Sequence, residues 1–183
     1  MKVERLRIPD VVLVTPQAFE DERGFFSETW NAQRLKDGAG IEATFVQDNH
    51  ALSRIAGTVR GLHFQLPPRA QDKLVRVVKG SILDVAVDIR RGSPTFGQHV
   101  CAVLSDKNRT QIWVPAGFAH GLVTLEPDTE VLYKVTDYYA PDCDRGILWN
   151  DPELGISWGT AGAASISAKD AKLPLLRDAE VFD

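Results

Sequence analysis

The sequence is poor in sulfur: Cys101 and Cys143 are its two cysteines and Met1 its one methionine. Two cysteines are too few for a disulfide framework and lack the paired spacing of a zinc site, so a reduced compartment is expected. No run approaches the ~18 apolar residues needed to span a bilayer. The N-terminal MKVERLRIPD holds no apolar core of signal-peptide length. These absences point to a soluble, cytoplasmic protein with no membrane partner. Positive charge is not in excess either: 25 Asp and Glu stand against 21 Lys and Arg, for a net charge of −4. That removes general electrostatic attraction to nucleic acid or an anionic membrane, while leaving room for a local basic pocket. Internal repeats, charge blocks and linkers are missing as well, and 183 residues suit one domain spanning 1–183.

What the chain does have is turns, with 14 Gly and 10 Pro separating short β-branched or aromatic runs. Strands are predicted at 11–14, 24–28, 44–47, 61–66, 74–78, 82–89, 100–104, 111–114, 118–124 and 130–136, a pattern that belongs to an all-β sandwich or barrel. One peripheral helix is predicted over 30–36, beginning near Glu28 and Thr29 and ending before Asp37 and Gly38. The Gly/Ala/Ser-rich stretch 159–167 reads as a loop, and 169–183 as a short terminal helix or an ordered tail. Strand alternation assigns faces. In 83–89 the aliphatics share one side and Asp84, Ala86 and Asp88 the other, as in a strand with one buried face. Tyr133 shares its side with Val131 and Val135 and points inward. His63 falls on the polar side of its strand, opposite Leu62, Phe64 and Leu66, where a histidine can face a cavity.

Four histidines are available for chemistry: His50, His63, His99 and His120. Two have suggestive neighbourhoods. In 60–65 (RGLHFQ) a cation, a flexible glycine and a titratable ring lie together, and in 115–121 (PAGFAHG) a turn delivers His120 onto a strand. The latter fits the Pro-x-Gly-x-x-His element of metal-binding cupin barrels. A catalytic metal wants about three protein ligands, usually including a His-x-His pair. Position 65 is Gln65 and no Glu follows before Glu126, so no metal is expected.

The ordered set of DERGFF (21–26), FVQDNH (45–50), RGLHFQ (60–65), KLVRV (73–77), DVAVDIR (84–90), SPTFG (93–97), PAGFAHG (115–121) and SAKD (167–170) resembles the dTDP-4-dehydrorhamnose 3,5-epimerases over nearly the whole chain. The resemblance implies a cupin-type jelly roll with a few short peripheral helices, usually homodimeric, with no metal or organic cofactor. It also implies a small-molecule substrate, dTDP-4-dehydro-6-deoxy-D-glucose, inverted at C3 and C5 to dTDP-4-dehydro-L-rhamnose. The C4 ketone acidifies the hydrogens on both neighbouring carbons, so inversion needs a base on one face, an acid on the other and stabilisation of an enolate oxygen. By resemblance His63 is the base, Asp170 its partner, Tyr133 the acid and Lys73 the cation at the enolate. Substrate binding maps onto Arg23, Glu28, Gln47, Asn49, Arg60, His120, Asp144 and Lys169, with Tyr139 stacking on the thymine. Arg23 and Arg60 suit a diphosphate, which planar bidentate donors fit well.

Plainer readings stand beside these. Asp170 suits an ordinary helix N-cap, Tyr133 a core tyrosine and Lys73 a surface ion pair. Strict alternation places Arg60 opposite His63, so a bulge or bend at Gly61 is expected if both serve one site. The family commonly has Gly before the lysine, where this chain has Asp72. Other functions compatible with the sequence are a single-carbon epimerase on a related dTDP-4-keto sugar, a non-catalytic sugar-nucleotide-binding cupin and a metal-dependent cupin oxygenase.

Overall fold

The computed structural model describes residues 1–159 and 162–183. Two antiparallel sheets face each other as a jelly roll. The larger runs β1 (Lys2–Arg5), β2 (Val12–Thr15), β10 (Gln111–Val114), β7 (Lys73–Lys79), β12 (Thr129–Val135) and β5 (Gln47–Ser53) in spatial order. The smaller runs β13 (Asp144–Gly146), β6 (Val59–Gln65), β11 (Phe118–Thr124), β8 (Ser81–Asp88) and β9 (His99–Ser105). A separate hairpin joins β3 (Ala18–Asp21) to β4 (Gly24–Ser27). Nine of these strands overlap predicted ones closely. The prediction at 44–47 catches only the first residue of β5, and β1, β3 and β13 have no predicted counterpart. Gln47, Asp48, Asn49 and His50 have poor strand propensity, and β5 is held instead by seven-residue pairing with β12.

Apolar side chains fill three spaces. Between the sheets, Val75, Ile112, Val114 and Val131 meet Ile82, Ala86, Leu104, Phe118 and Leu122. Outside the smaller sheet, Leu62, Phe64, Val85, Val87 and Ala119 are covered by the C-terminal segment through Ile147, Leu154, Trp158, Leu176 and Val181. Outside the larger sheet, the helix α1 (Ala32–Ala39) lays Leu35 and Ala39 against Val12, Val14, Leu74 and Trp113. The helix starts two residues later than predicted and ends three later. Asn31 caps its start by accepting from the Arg34 N–H, and Gly40, at φ +71°, ends it where Gly38 does not.

The C-terminal segment is an ordered tail with two 3-10 turns, Asp170–Lys172 and Leu176–Asp178. The buried Asp151 carboxylate ties it down by accepting from the backbone N–H groups of Glu153 and Leu176. Within the stretch 159–167 expected to be a loop, residues 160 and 161 lie outside the described residues; Ser165 bridges to Thr58. The tail carries Asp170 back to β6, 107 residues earlier in sequence.

One expectation fails at β8. Asp84 and Asp88 do not face solvent: both are fully buried, because their side of the strand looks into the barrel. Asp88 accepts from Arg90, Ser93 and Thr95, and these bonds outweigh the opposing effect of burial to hold its carboxyl at about 2. Alternation separates polar from apolar faces but does not say whether the polar face meets water or a polar interior.

The expected bulge is present. His63 pairs with His120 and Arg60 with Leu122, so three steps along β6 match two along β11. The Gly61–Leu62 peptide is cis, and Gly61 has φ +114°. A Cβ there would stand 2.7 Å from both Gly121 Cα and His120 O. Gly61→Ala combines a disfavoured backbone conformation with a backbone clash, and is expected to lower unfolding free energy by about 2–5 kcal/mol, measured as a fall in urea midpoint.

Candidate active site

The extra residue at Gly61 turns Arg60 and His63 to the same side of β6, where they line a cavity of about 720 Å³. That volume suits a nucleotide-sized ligand. Strands β5, β6, β7, β11 and β12, the segment from Tyr139 to Asp144 and the tail near Asp170 form its walls.

At the base of one wall, His63 Nε2 lies 2.8 Å from Asp170 Oδ1, and the Gly61 N–H donates to Asp170 Oδ2 at 3.2 Å. Burial raises the Asp170 carboxyl, but bonds from His63, Gly61 and Ser167 prevail and hold it below the usual carboxylate range. An ionised Asp170 requires His63 Nε2 to donate, which leaves Nδ1 as the ring's proton acceptor. The N-cap reading of Asp170 does not hold: Lys169 is the cap residue of the 3-10 turn and makes no side-chain cap bond, while the Asp170 carboxylate is engaged with His63 and Gly61.

Tyr133 stands on β12, on the inner face with Val131, as alternation predicts. Burial raises its phenol above the usual value, partly opposed by Arg60, so the hydroxyl keeps its proton at neutral pH. Lys73 is buried and donates from Nζ to the His63 carbonyl at 3.2 Å. It makes no direct ion pair among the described residues, and its burial excludes the surface-pair reading. Burial pulls its ammonium down to about 8 against the pull of Asp144 and Asp84.

A second histidine–carboxylate pair lies beside the first. His120, the cross-strand neighbour of His63, brings Nε2 to 3.0 and 2.9 Å from the two oxygens of Asp84. Asp84 escapes a reading of polarity alone, since its partner lies 36 residues away on another strand. No group of three His, Cys, Asp or Glu side chains gathers as a metal site among the described residues.

The remaining predicted binding residues divide into two groups. Gln47, Asn49, Arg60, Tyr139, Asp144 and Lys169 line the cavity. The Gln47 amide donates to Asn49, Arg60 is braced by Ser53 and the Leu52 carbonyl, and Asp144 Oδ2 receives both the Tyr139 hydroxyl and Lys169 Nζ. Arg23 and Glu28 are elsewhere. Arg23 sits at the exposed tip of the β3–β4 hairpin, paired with Asp21 at 2.6 Å, and Glu28 pairs with Arg34 at 3.3 Å. Asp72 neither faces the cavity nor runs free into solvent. Its carboxylate accepts from the Ala116 N–H at 2.8 Å and the Thr136 hydroxyl at 3.3 Å, tying the start of β7 to the turn before β11.

The pairing of a base, an acid and a cation around one cavity suits proton transfer next to a carbonyl. Comparison with known proteins agrees. Residues 5–178 match the family model for dTDP-4-dehydrorhamnose 3,5-epimerase. A curated protein of that name from Pseudomonas aeruginosa is 51% identical over 182 residues, covering 100% of this chain and 99% of its own. A crystal structure of the Legionella pneumophila dTDP-6-deoxy-D-glucose-3,5-epimerase in complex with dTDP-4-keto-L-rhamnose superposes with a TM-score of 0.92 at 44% identity, over 97% of this chain and 93% of that one. The Bacillus anthracis dTDP-4-dehydrorhamnose 3,5-epimerase, with TDP and PPi bound, gives 0.92 at 49% identity, over 95% and 98%.

Burying the Lys73 cation has a cost in stability. Its folded-state value is near 8 and its unfolded value 10.5, so between these pH values the unfolded chain binds more protons and stability rises with pH. Below pH 8 the full penalty is present. Lys73→Met is therefore expected to stabilise the fold at pH 7 by about 2 kcal/mol after loss of its hydrogen bond, with the gain shrinking toward pH 10.5 in urea titrations.

Proposed function

The chain belongs to the dTDP-4-dehydrorhamnose 3,5-epimerase family, and on that premise we propose that its cavity inverts C3 and C5 of dTDP-4-dehydro-6-deoxy-D-glucose to give dTDP-4-dehydro-L-rhamnose. The observation that carries the residue assignment is the convergence of His63–Asp170, Tyr133 and Lys73 on one cavity. His63 Nδ1 removes the proton from the carbon beside the C4 ketone, and Asp170 stabilises the imidazolium that forms. The electron pair passes to the carbonyl oxygen, where the Lys73 ammonium meets the enolate. Tyr133 delivers its phenolic proton to the opposite face of the carbon. Each inversion leaves His63 protonated and Tyr133 ionised, so both exchange protons with solvent before the second carbon reacts. Substrate is held by Gln47, Asn49, Arg60, His120, Asp144 and Lys169, with Tyr139 under the thymine.

The proposal takes residues 1–183 as one epimerase domain acting in the cytoplasm as a homodimer. The β3–β4 hairpin supports the dimer. Among the described residues it pairs with no other strand, and it exposes Phe19, Phe25 and Phe26 to 55, 61 and 70%, although two-stranded hairpins are marginal alone in water. Arg109 tethers it, with its guanidinium 4.3 Å from the Phe25 ring centre and Nη1 2.8 Å from Glu20. Packing the hairpin on a second copy covers these rings and gives Arg23 and Glu28, which do not line this chain's own cavity, a surface to act on.

In deuterated water, proton NMR is expected to show label entering both C3 and C5; label at one carbon alone makes the enzyme a single-site epimerase, and none refutes epimerisation. His63→Ala is expected to abolish exchange while leaving dTDP affinity within a few-fold. Light scattering is expected to give twice the chain mass, and Phe26→Asp to shift it toward the monomer; an unchanged mass separates the hairpin from the dimer contact.

A further inference from the structure

Tyr139 lies in the short segment between β12 and the 3-10 turn Pro141–Cys143, and the residue is 57% exposed. Its hydroxyl donates to Asp144 at 3.2 Å, and a stacking platform also needs its backbone in place before its ligand arrives. The segment's backbone is fastened by three glutamine side chains. Gln71 Nε2 donates to the Asp137 carbonyl at 2.7 Å. Gln65 Nε2 donates to the Tyr138 carbonyl at 3.2 Å, and Gln65 Oε1 accepts from the Ala140 N–H at 2.8 Å. Gln47 Oε1 accepts from the Tyr139 N–H itself at 3.1 Å. Four consecutive residues are thus each gripped once.

Gln65 is the centre of this arrangement. It is 3% exposed, and its second amide hydrogen goes to the Arg69 carbonyl at 2.6 Å, so both donors and the acceptor are occupied. A buried, fully satisfied amide is costly to disturb and holds a single geometry. It also joins the two loops that flank the cavity mouth, 66–72 and 136–140. The amide end orientation follows from the partners: reversing it would set an amide N–H against the Ala140 N–H. A histidine at position 65, two residues beyond His63, would not supply two donors and an acceptor to these three backbone groups. A carboxylate would oppose the two carbonyls.

We propose that Gln65 and Gln71, together with Gln47, form an amide clamp that holds the Tyr139 ring in register with the cavity, making Gln65 and Gln71 positioning residues for nucleotide binding. This rests on the reading of Tyr139 as the platform for the base. Both residues line the same cavity as the proton-transfer groups, but their amides are engaged with the backbone of 69 and 137–140, so the clamp acts on affinity and leaves the proton transfers alone. Preorganising the platform removes the ordering cost otherwise charged to binding.

The test uses Gln65→Met and Gln71→Met in the full chain, with hydrogen exchange of the 137–140 amides read alongside the dTDP dissociation constant. The clamp predicts at least tenfold faster exchange at Ala140 in Gln65→Met and about tenfold weaker dTDP binding in both variants. KM rises in parallel and kcat stays within twofold. Added to Tyr139→Ala, either variant weakens dTDP no further. Unchanged exchange in Gln65→Met refutes the clamp itself, and faster exchange with unchanged dTDP affinity refutes its positioning role. A fall in kcat at constant KM refutes it too. Gln71→Met, which removes one bond at a half-buried site, carries the affinity test if Gln65→Met does not fold. Tyr139→Ala with wild-type dTDP affinity overturns the platform reading separately, because the exchange measurement does not depend on nucleotide.

Discussion

The carboxylate of Asp170 makes two bonds on which the cavity depends. One oxygen holds the His63 ring and the other holds the backbone N–H of Gly61, the residue whose bulge turns Arg60 and His63 to the same side. One side chain therefore sets both the histidine's tautomer and the local path of the strand that carries it. Its own position depends on a tail with little regular structure, held by the apolar cluster around Trp158 and Leu176 and by the Asp151 carboxylate. Packing on the outside of the smaller sheet thus determines chemistry on its inside.

The barrel and the site beside it hold several buried charges, and each is handled differently. Asp88 is surrounded by donors, Asp84 is held by both oxygens against His120, and Asp170 by His63 and Gly61. Lys73 alone among these has no contacting counter-charge: its ammonium meets a backbone carbonyl, and burial brings its value to about 8. A buried cation without a close carboxylate is destabilising on its own. On the proposed assignment the same arrangement becomes stabilising beside a developing enolate, because the missing negative charge arrives with the reaction. On that assignment, the stability given up at Lys73 and the activity gained there have one physical cause.

Much of the fold was legible from periodicity. Strands such as β8, β10 and β11 alternate or run apolar strongly enough to be placed within a residue or so, and the inward face of Tyr133 follows from Val131 and Val135. Where local preference and tertiary pairing disagree, pairing wins: Gln47–Ser53 is a strand because β12 lies beside it, and α1 runs on to Gly40 because Leu35 and Ala39 find Trp113 and Leu74. The site residues were implied by the resemblance to one family, nine of the thirteen lying within its short motifs; eleven line the cavity, with Arg23 and Glu28 outside it.

By itself the sequence determined an all-β chain, because strand alternation depends on residue type and near-neighbour spacing; the resemblance to one family implied the residues for proton transfer, and set against alternation it called for an irregularity at Gly61. Only the tertiary structure decided that the polar face of β8 is interior, that the Asp72 carboxylate ties a turn, and that three glutamines scattered over 25 residues grip one loop. Those facts concern which groups meet across the fold. A polar side chain has the same identity whether it meets water or a buried partner, so its environment is set by the packing that surrounds it.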